Sequence, residues 1–268
     1  MNPTLAASGA ALVAAFAIGI WAAQPPAGPA TPAPAPAVVA ETGLAATDRA
    51  TLQAEMRRYL LEQPEIIMEV IALLENRRVA DAAAAERQML REVAGEIYED
   101  GFSWVGGNPE GDITLVEFLD YQCGFCKRAH DEVMGMVEAD GNIRLIVKEF
   151  PILGPVSDSA SRAALAVLDG QGPELYKAFN DGLMRFPGRL DEAMIDRIAE
   201  RAGIDVAAMR AAMEETEIER RIARNRTLAE RLQITGTPTF VLGETLIRGY
   251  LPREQMEEAV RLARSAAR

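Results

Sequence analysis

The run Ile113 to Tyr121, ITLVEFLDY, leads directly into Gln122-Cys123-Gly124-Phe125-Cys126, and these are the only two cysteines among 268 residues. A short, nearly continuous stretch of apolar and β-branched side chains predicts a buried strand. Gly124 to Ala139 then carries Val133, Met136 and Val137 on one helical face and ends near Asp140-Gly141-Asn142. A second run, Ile143 to Phe150 (IRLIVKEF), predicts another buried strand. Strand, helix and strand in this order form a β-α-β unit of the kind that builds parallel sheets. The fold class is therefore α/β, with both thiols at the start of the crossover helix.

The chain before this unit has a different character. Leu5 to Ala23 holds no charge, and as a helix it would extend roughly 28 Å, close to the thickness of a bilayer core. Residues 1–23 are expected to be an export signal or a membrane anchor. No Lys or Arg precedes them, and cleavage after Ala23 would leave Trp21 three positions back, so both readings stay open. Residues 24–43 alternate Pro with small residues and predict an extended spacer. Residues 44–99 predict a helical oligomerisation region. Asp48 is expected as an N-cap and Pro64 at the first position of a helix reaching Glu99, with Ile67, Ile71, Leu74, Met89, Val93 and Ile97 at helical spacing. Such a helix is too long to cover a small domain, so part of its apolar stripe is expected to meet another copy of the chain.

After the β-α-β unit, residues 157–233 show only helical patterns. Thr239 to Leu242 and Thr245 to Arg248, split by Gly243-Glu244, predict a hairpin, and Pro252 opens a last helix. Sheet elements thus flank a block of helices within residues 102–268. The net charge is −12, and no Lys/Arg cluster is suited to tracking phosphates, which argues against a nucleic-acid partner.

A helix starting at Cys123 places that sulfur among unpaired backbone N–H groups at the positive end of the helix dipole, where a thiolate is favoured. Cys126, one turn further in, is close enough to close a disulfide and more shielded. Cys123 is therefore the expected attacking sulfur and Cys126 the resolving one. A purely structural disulfide closing so short a loop would gain little stability. A metal site would draw on Cys123, Cys126 and His130, one ligand short of a structural zinc site, and copper(I) would need fewer. Haem attachment would require His where Lys127 stands. Near the C-terminus, ITGTPTFVLG places Pro238 at a strand entrance, where a missing N–H is tolerated and a cis bond after Thr237 fits.

With EFLDYQCGFC, KEFPILG at Lys148 to Gly154, the helical insert and GTPTF in place, residues 102–268 resemble the thioredoxin superfamily, in particular its DsbA-like branch. The resemblance implies a thioredoxin-like fold with a helical insertion, preceded by a helical stalk. It also implies protein thiol-disulfide oxidoreductase activity needing no cofactor beyond the Cys123–Cys126 disulfide. Cys123 would be the nucleophile, Cys126 the resolving cysteine and Glu117 a buried carboxylate passing protons to it. Lys148 would be the partner of Glu117, and Thr237, Pro238, Gly124 and Phe125 would meet substrate. Strongly oxidising members carry histidine between the thiols where this chain has Gly-Phe, so a less oxidising couple is expected. Residues 46–78, with YLLEQPEIIMEVI, are similar to the N-terminal segment of ScsC-type proteins, some of which assemble as trimers through it; this implies isomerase as well as oxidase chemistry. The expected setting is the periplasm, with or without a tether to the inner membrane. The expected partners are cysteine-containing exported proteins, a membrane redox partner and further copies of the chain. Two other functions compete: a copper-binding thioredoxin-like protein of the envelope, and a tethered scaffold.

Overall fold

The computed structural model describes residues 46–266. The expected signal or anchor (1–23) and the spacer (24–43) lie outside the described residues. Among those described, no helix is long and apolar enough to cross a membrane. The chain divides into two compact units at Ile66/Ile67.

In the first unit, α1 (Ala46–Glu62) exposes Leu52, Met56, Tyr59 and Leu61 beside an ion-paired row of Glu55, Arg58 and Glu62. Helix α1 begins before Asp48, so this carboxylate sits within the first turn, where it complements the helix dipole, and is not the N-cap. Pro64 forms a turn directly ahead of α2 (Glu65–Glu92), so the helix begins one residue later than expected.

In the second unit, α2 continues with Ile67, Met68, Val70, Ile71, Leu74 and Val79 exposed. The helix does not run through to Glu99. It breaks at Val93 and resumes as α3 (Ala94–Tyr98), with Gly95, a poor residue for a helix interior, just inside the new start. Leu90, Val93 and Ile97, which fall in the expected stalk, are buried against the sheet and belong to the core.

The sheet has the order β1-β3-β2-β4-β5, from β1 (Trp104–Gly107), β2 (Ile113–Leu119), β3 (Ile143–Glu149), β4 (Thr239–Leu242) and β5 (Thr245–Arg248). Strands β2 and β3 are parallel, joined across α4 (Gly124–Asp140), and the other pairings are antiparallel. Helix α4 ends where Gly141 adopts φ 69° and its N–H bonds the Val137 carbonyl. Strand β1 was not anticipated, because Gly106-Gly107 reads as a turn. It is a strand because it pairs antiparallel with β3 from Trp104 to Gly107, and Gly106 suits it because the Trp104 indole covers that position, leaving no room for a side chain, while its Nε1 donates to the Pro173 carbonyl at 3.0 Å.

Strand alternation divides the molecule. On one face Leu115, Leu119, Leu145 and Val147 pack against α4 and α10 (Arg253–Ala266). The same core takes in the insert helices α5 (Pro155–Gln171), α6 (Pro173–Arg185), α7 (Glu192–Arg201) and α8 (Val206–Met213). On the other face Val116, Phe118, Ile146 and Val241 meet α9 (Thr216–Arg231) and the end of α2. Both faces of β2 and β3 are therefore covered, which is why their sequences are apolar without alternation.

Candidate active site

The three residues ahead of Cys123 tie its turn to three different parts of the molecule. Asp120 is fully buried with no cation beside it, and its carboxylate instead accepts four hydrogen bonds. Oδ1 takes the Gln122 N–H at 2.7 Å and the Ser157 hydroxyl at 2.8 Å; Oδ2 takes the N–H groups of Ile152 at 2.8 Å and Leu153 at 3.0 Å. Tyr121 donates its hydroxyl to Glu149 at 2.7 Å and accepts from Asn180 at 3.0 Å. The Gln122 side chain accepts the Leu190 N–H at 3.2 Å. Buried polar groups satisfied this fully hold one arrangement.

Cys123 is the N-cap of α4, in extended backbone geometry, and its own N–H is taken by the Asp120 carbonyl at 3.0 Å. Both cysteines are thiols. A hydrogen bond from Cys126, joined by the N–H groups of Cys126 and Phe125, outweighs burial and brings Cys123 down to about 5. Burial moves Cys126 in the opposite direction, far above an ordinary thiol. The pair is thus split into one sulfur ionised at neutral pH and one that keeps its proton. As a thiol, Cys123 donates to the Thr237 carbonyl at 3.1 Å, and the Thr237–Pro238 peptide is cis. The Pro238 carbonyl in turn accepts the Gly249 N–H at 2.9 Å. Gly124 and Phe125 are exposed beside the thiols, Phe125 at 57%.

Glu117 is buried on β2, on the α4 side, and forms no side-chain hydrogen bond with a described residue. Burial, then Glu149, then charge on Cys123 push it up to about 8. The expected pairing with Lys148 does not occur. Glu117 is in register with Val147, so Lys148 points to the opposite face. There its ammonium, 0% exposed, bonds Asp100 Oδ2 at 2.5 Å and the Glu96 carbonyl at 2.8 Å. Lys148 thus holds α3 beneath the sheet and stands apart from the thiols.

Sequence reading also passed over Glu149 and Asp120. Glu149 Oε1 accepts from Tyr121 at 2.7 Å and Tyr176 at 2.6 Å, and Oε2 accepts from Ser161 at 2.7 Å. Burial lifts it to about 7 against those three donors. Each is a carboxylate near the end of an apolar run, and that is the available signal. His130 is buried and faces Asp181, Nε2 to Oδ1 at 2.8 Å, and Cys123 instead meets Thr237. Among the described residues no three His, Cys, Asp or Glu side chains converge as a metal site would require.

A family model described as a DSBA-like thioredoxin domain matches residues 114–261. A thioredoxin-like oxidoreductase from Silicibacter pomeroyi DSS-3 is 42% identical, with a TM-score of 0.61 over 64% of this chain and 97% of that one. ScsC of Proteus mirabilis in a transitional conformation is 27% identical, with a TM-score of 0.63, and covers 83% of this chain and 100% of its own. The Na(+)/H(+) antiporter NhaA 3 of Salinispora tropica is 28% identical over 166 residues, 61% of this chain and 25% of that protein. The chain spans about a quarter of the length of the curated relatives it matches.

Proposed function

The chain belongs to the DsbA-like thioredoxin domain family, and on that footing we propose that it is a thiol-disulfide oxidoreductase acting on cysteine-containing polypeptides through Cys123 and Cys126. The observation that carries this reading is the split between the two sulfurs. Cys123 lies at the head of α4 with a depressed pKa, and Cys126 lies behind it, buried and neutral.

In the oxidising direction a substrate thiolate attacks Cys123 Sγ of the enzyme disulfide, and Cys126 leaves as a thiolate that takes a proton. Glu117, protonated near neutral pH, is the nearby buried acid. A second substrate thiolate then attacks the substrate sulfur of the mixed disulfide. Cys123 leaves as a stable thiolate, so two substrate thiols become one disulfide and the enzyme pair is reduced. In the isomerising direction the reduced enzyme begins with Cys123 attacking a substrate disulfide. A different substrate thiolate resolves the mixed species, with no net change in redox state.

We place this activity in an oxidising space such as the periplasm, with a membrane redox partner to reset the thiols. The apolar residues exposed along α1 and α2 support assembly with further copies of the chain, which favours isomerisation as well as oxidation. The test is refolding of a scrambled-disulfide protein beside oxidation of the same protein fully reduced, using the full chain and a Leu61→Glu/Val79→Glu variant. Loss of the first activity alone, with a fall in mass in solution, supports an assembly-dependent isomerase; absence of both activities from the unaltered chain refutes the exchange reading.

A further inference from the structure

Three side chains on the rim of the thiol site take no part in the exchange chemistry. Phe125 and Arg128 lie one turn apart on the open side of α4, and Tyr250 lies in the loop between β5 and α10. The Arg128 guanidinium carbon is 5.8 Å from the Phe125 ring centroid and 5.6 Å from that of Tyr250. Tyr250 is itself anchored, since its hydroxyl donates to Glu132 Oε1 at 2.7 Å. The residue before it, Gly249, is bonded to the Pro238 carbonyl at 2.9 Å. These contacts therefore reach from the dipeptide between the thiols to the segment next to the Thr237–Pro238 turn, and the dipeptide and that turn flank the Cys123 sulfur.

A cation–π contact uses the charge of a guanidinium and none of its N–H donors, which stay free to meet a carboxylate. Among the described residues no carboxylate forms an ion pair with Arg128. Glu132, one turn along α4, is committed to Tyr250 through one oxygen and to the Arg253 N–H through the other, at 2.9 Å. In a chain of net charge −12, an exposed cation within 6 Å of two ring centroids beside the nucleophile, with no acid of its own, is suited to receive an anionic group.

Resting on the exchange reading above, we propose that Arg128 is a specificity-determining residue that receives a carboxylate of the substrate polypeptide, an Asp or Glu side chain close to the reacting cysteine. The probes are three peptides identical except for Glu, Gln or Lys beside a single cysteine, each as its mixed disulfide with 5-thio-2-nitrobenzoate. The reduced enzyme releases the chromophore on attack. The Glu peptide should react about fivefold faster than the Gln peptide at low ionic strength, the scale of one exposed charge-assisted pair. The ratio should approach one in about 1 M salt, where charges are screened within roughly 3 Å. Arg128→Gln should abolish the ratio, and Arg128→Glu should make the Lys peptide the preferred substrate. Equal rates for Glu and Gln peptides with the unaltered enzyme, or a ratio that survives Arg128→Gln, would overturn the assignment. Failure of all three peptides to react would instead overturn the exchange reading beneath it.

Discussion

Glu117 and Cys126 share one buried compartment behind the reactive sulfur, and negative charge on the carboxylate pushes the ionisation of the thiol further upward. The two groups therefore compete for a single negative charge, and in the proposed exchange reaction the neutral carboxyl is the group that hands its proton to Cys126 as it leaves.

Replacing Glu117 with Gln should separate these effects. Because burial raises the pKa of Glu117 from the ordinary glutamate range to about 8, the stability it contributes is complete below about pH 4.5 and is lost as pH climbs toward 8. At pH 7 the variant should gain on the order of 3 kcal/mol from this linkage, less any cost of burying the amide. The steps in which Cys126 leaves or attacks should slow by about tenfold or more. Denaturant melts across pH, with single-turnover release of a mixed disulfide, measure both. A variant that is less stable at pH 7 than at pH 4, relative to the parent, would contradict the assignment.

Alkylation of the reduced protein should follow a single inflection near pH 5 belonging to Cys123, with Cys126 unreactive until far higher pH. A depressed thiol pKa adds stability that is complete above the unfolded thiol value, about 8.5, and lost as pH falls through 5. The reduced form should accordingly gain on the oxidised form as pH rises through this window. Thermal unfolding of both forms between pH 4 and 9 checks the sign.

Lys148→Met should cost about 3–5 kcal/mol, because it leaves the buried Asp100 carboxylate without its cation. The alkylation inflection of Cys123 should stay where it was. A displaced inflection would return Lys148 to the thiol site despite its place on the far face of the sheet.

Asp120→Asn turns an amide N–H₂ toward a cluster of donors and should destabilise by about 3 kcal/mol, a Tm drop of roughly 6–12 °C. Hydrogen exchange at Ile152 and Leu153 should accelerate with it, since both amides lose their acceptor. Protection unchanged at these two positions would show that the carboxylate does not hold that loop.

Much of this architecture was legible because it rests on short-range pattern. Helix α4 starts at Gly124 with Cys123 as its cap, and the hairpin Thr239–Leu242/Thr245–Arg248 matches its expected limits. Strand β1 was not legible, since two glycines resemble a turn until the Trp104 ring is seen covering one of them. The Lys148 partner was misread for a reason of register. Both strands bury a charge, but only the pairing of Glu117 with Val147 shows that the charges lie on opposite faces. Asp100, the true partner, comes from a connecting segment with no periodicity to mark it. The break at Val93 depends on Leu90, Val93 and Ile97 reaching the underside of the sheet, a tertiary contact that overrides local helical preference.

The turn before Cys123 is fixed at Asp120, Tyr121 and Gln122 to separate parts of the fold. A site braced in this way has little compliance with which to meet a rigid surface, so in the proposed exchange reaction the bending needed to align three sulfurs falls to the substrate polypeptide. If the chain acts on polypeptides as proposed, those that have not finished folding supply it at least cost, and a completed, well-packed domain with the same cysteines is passed over.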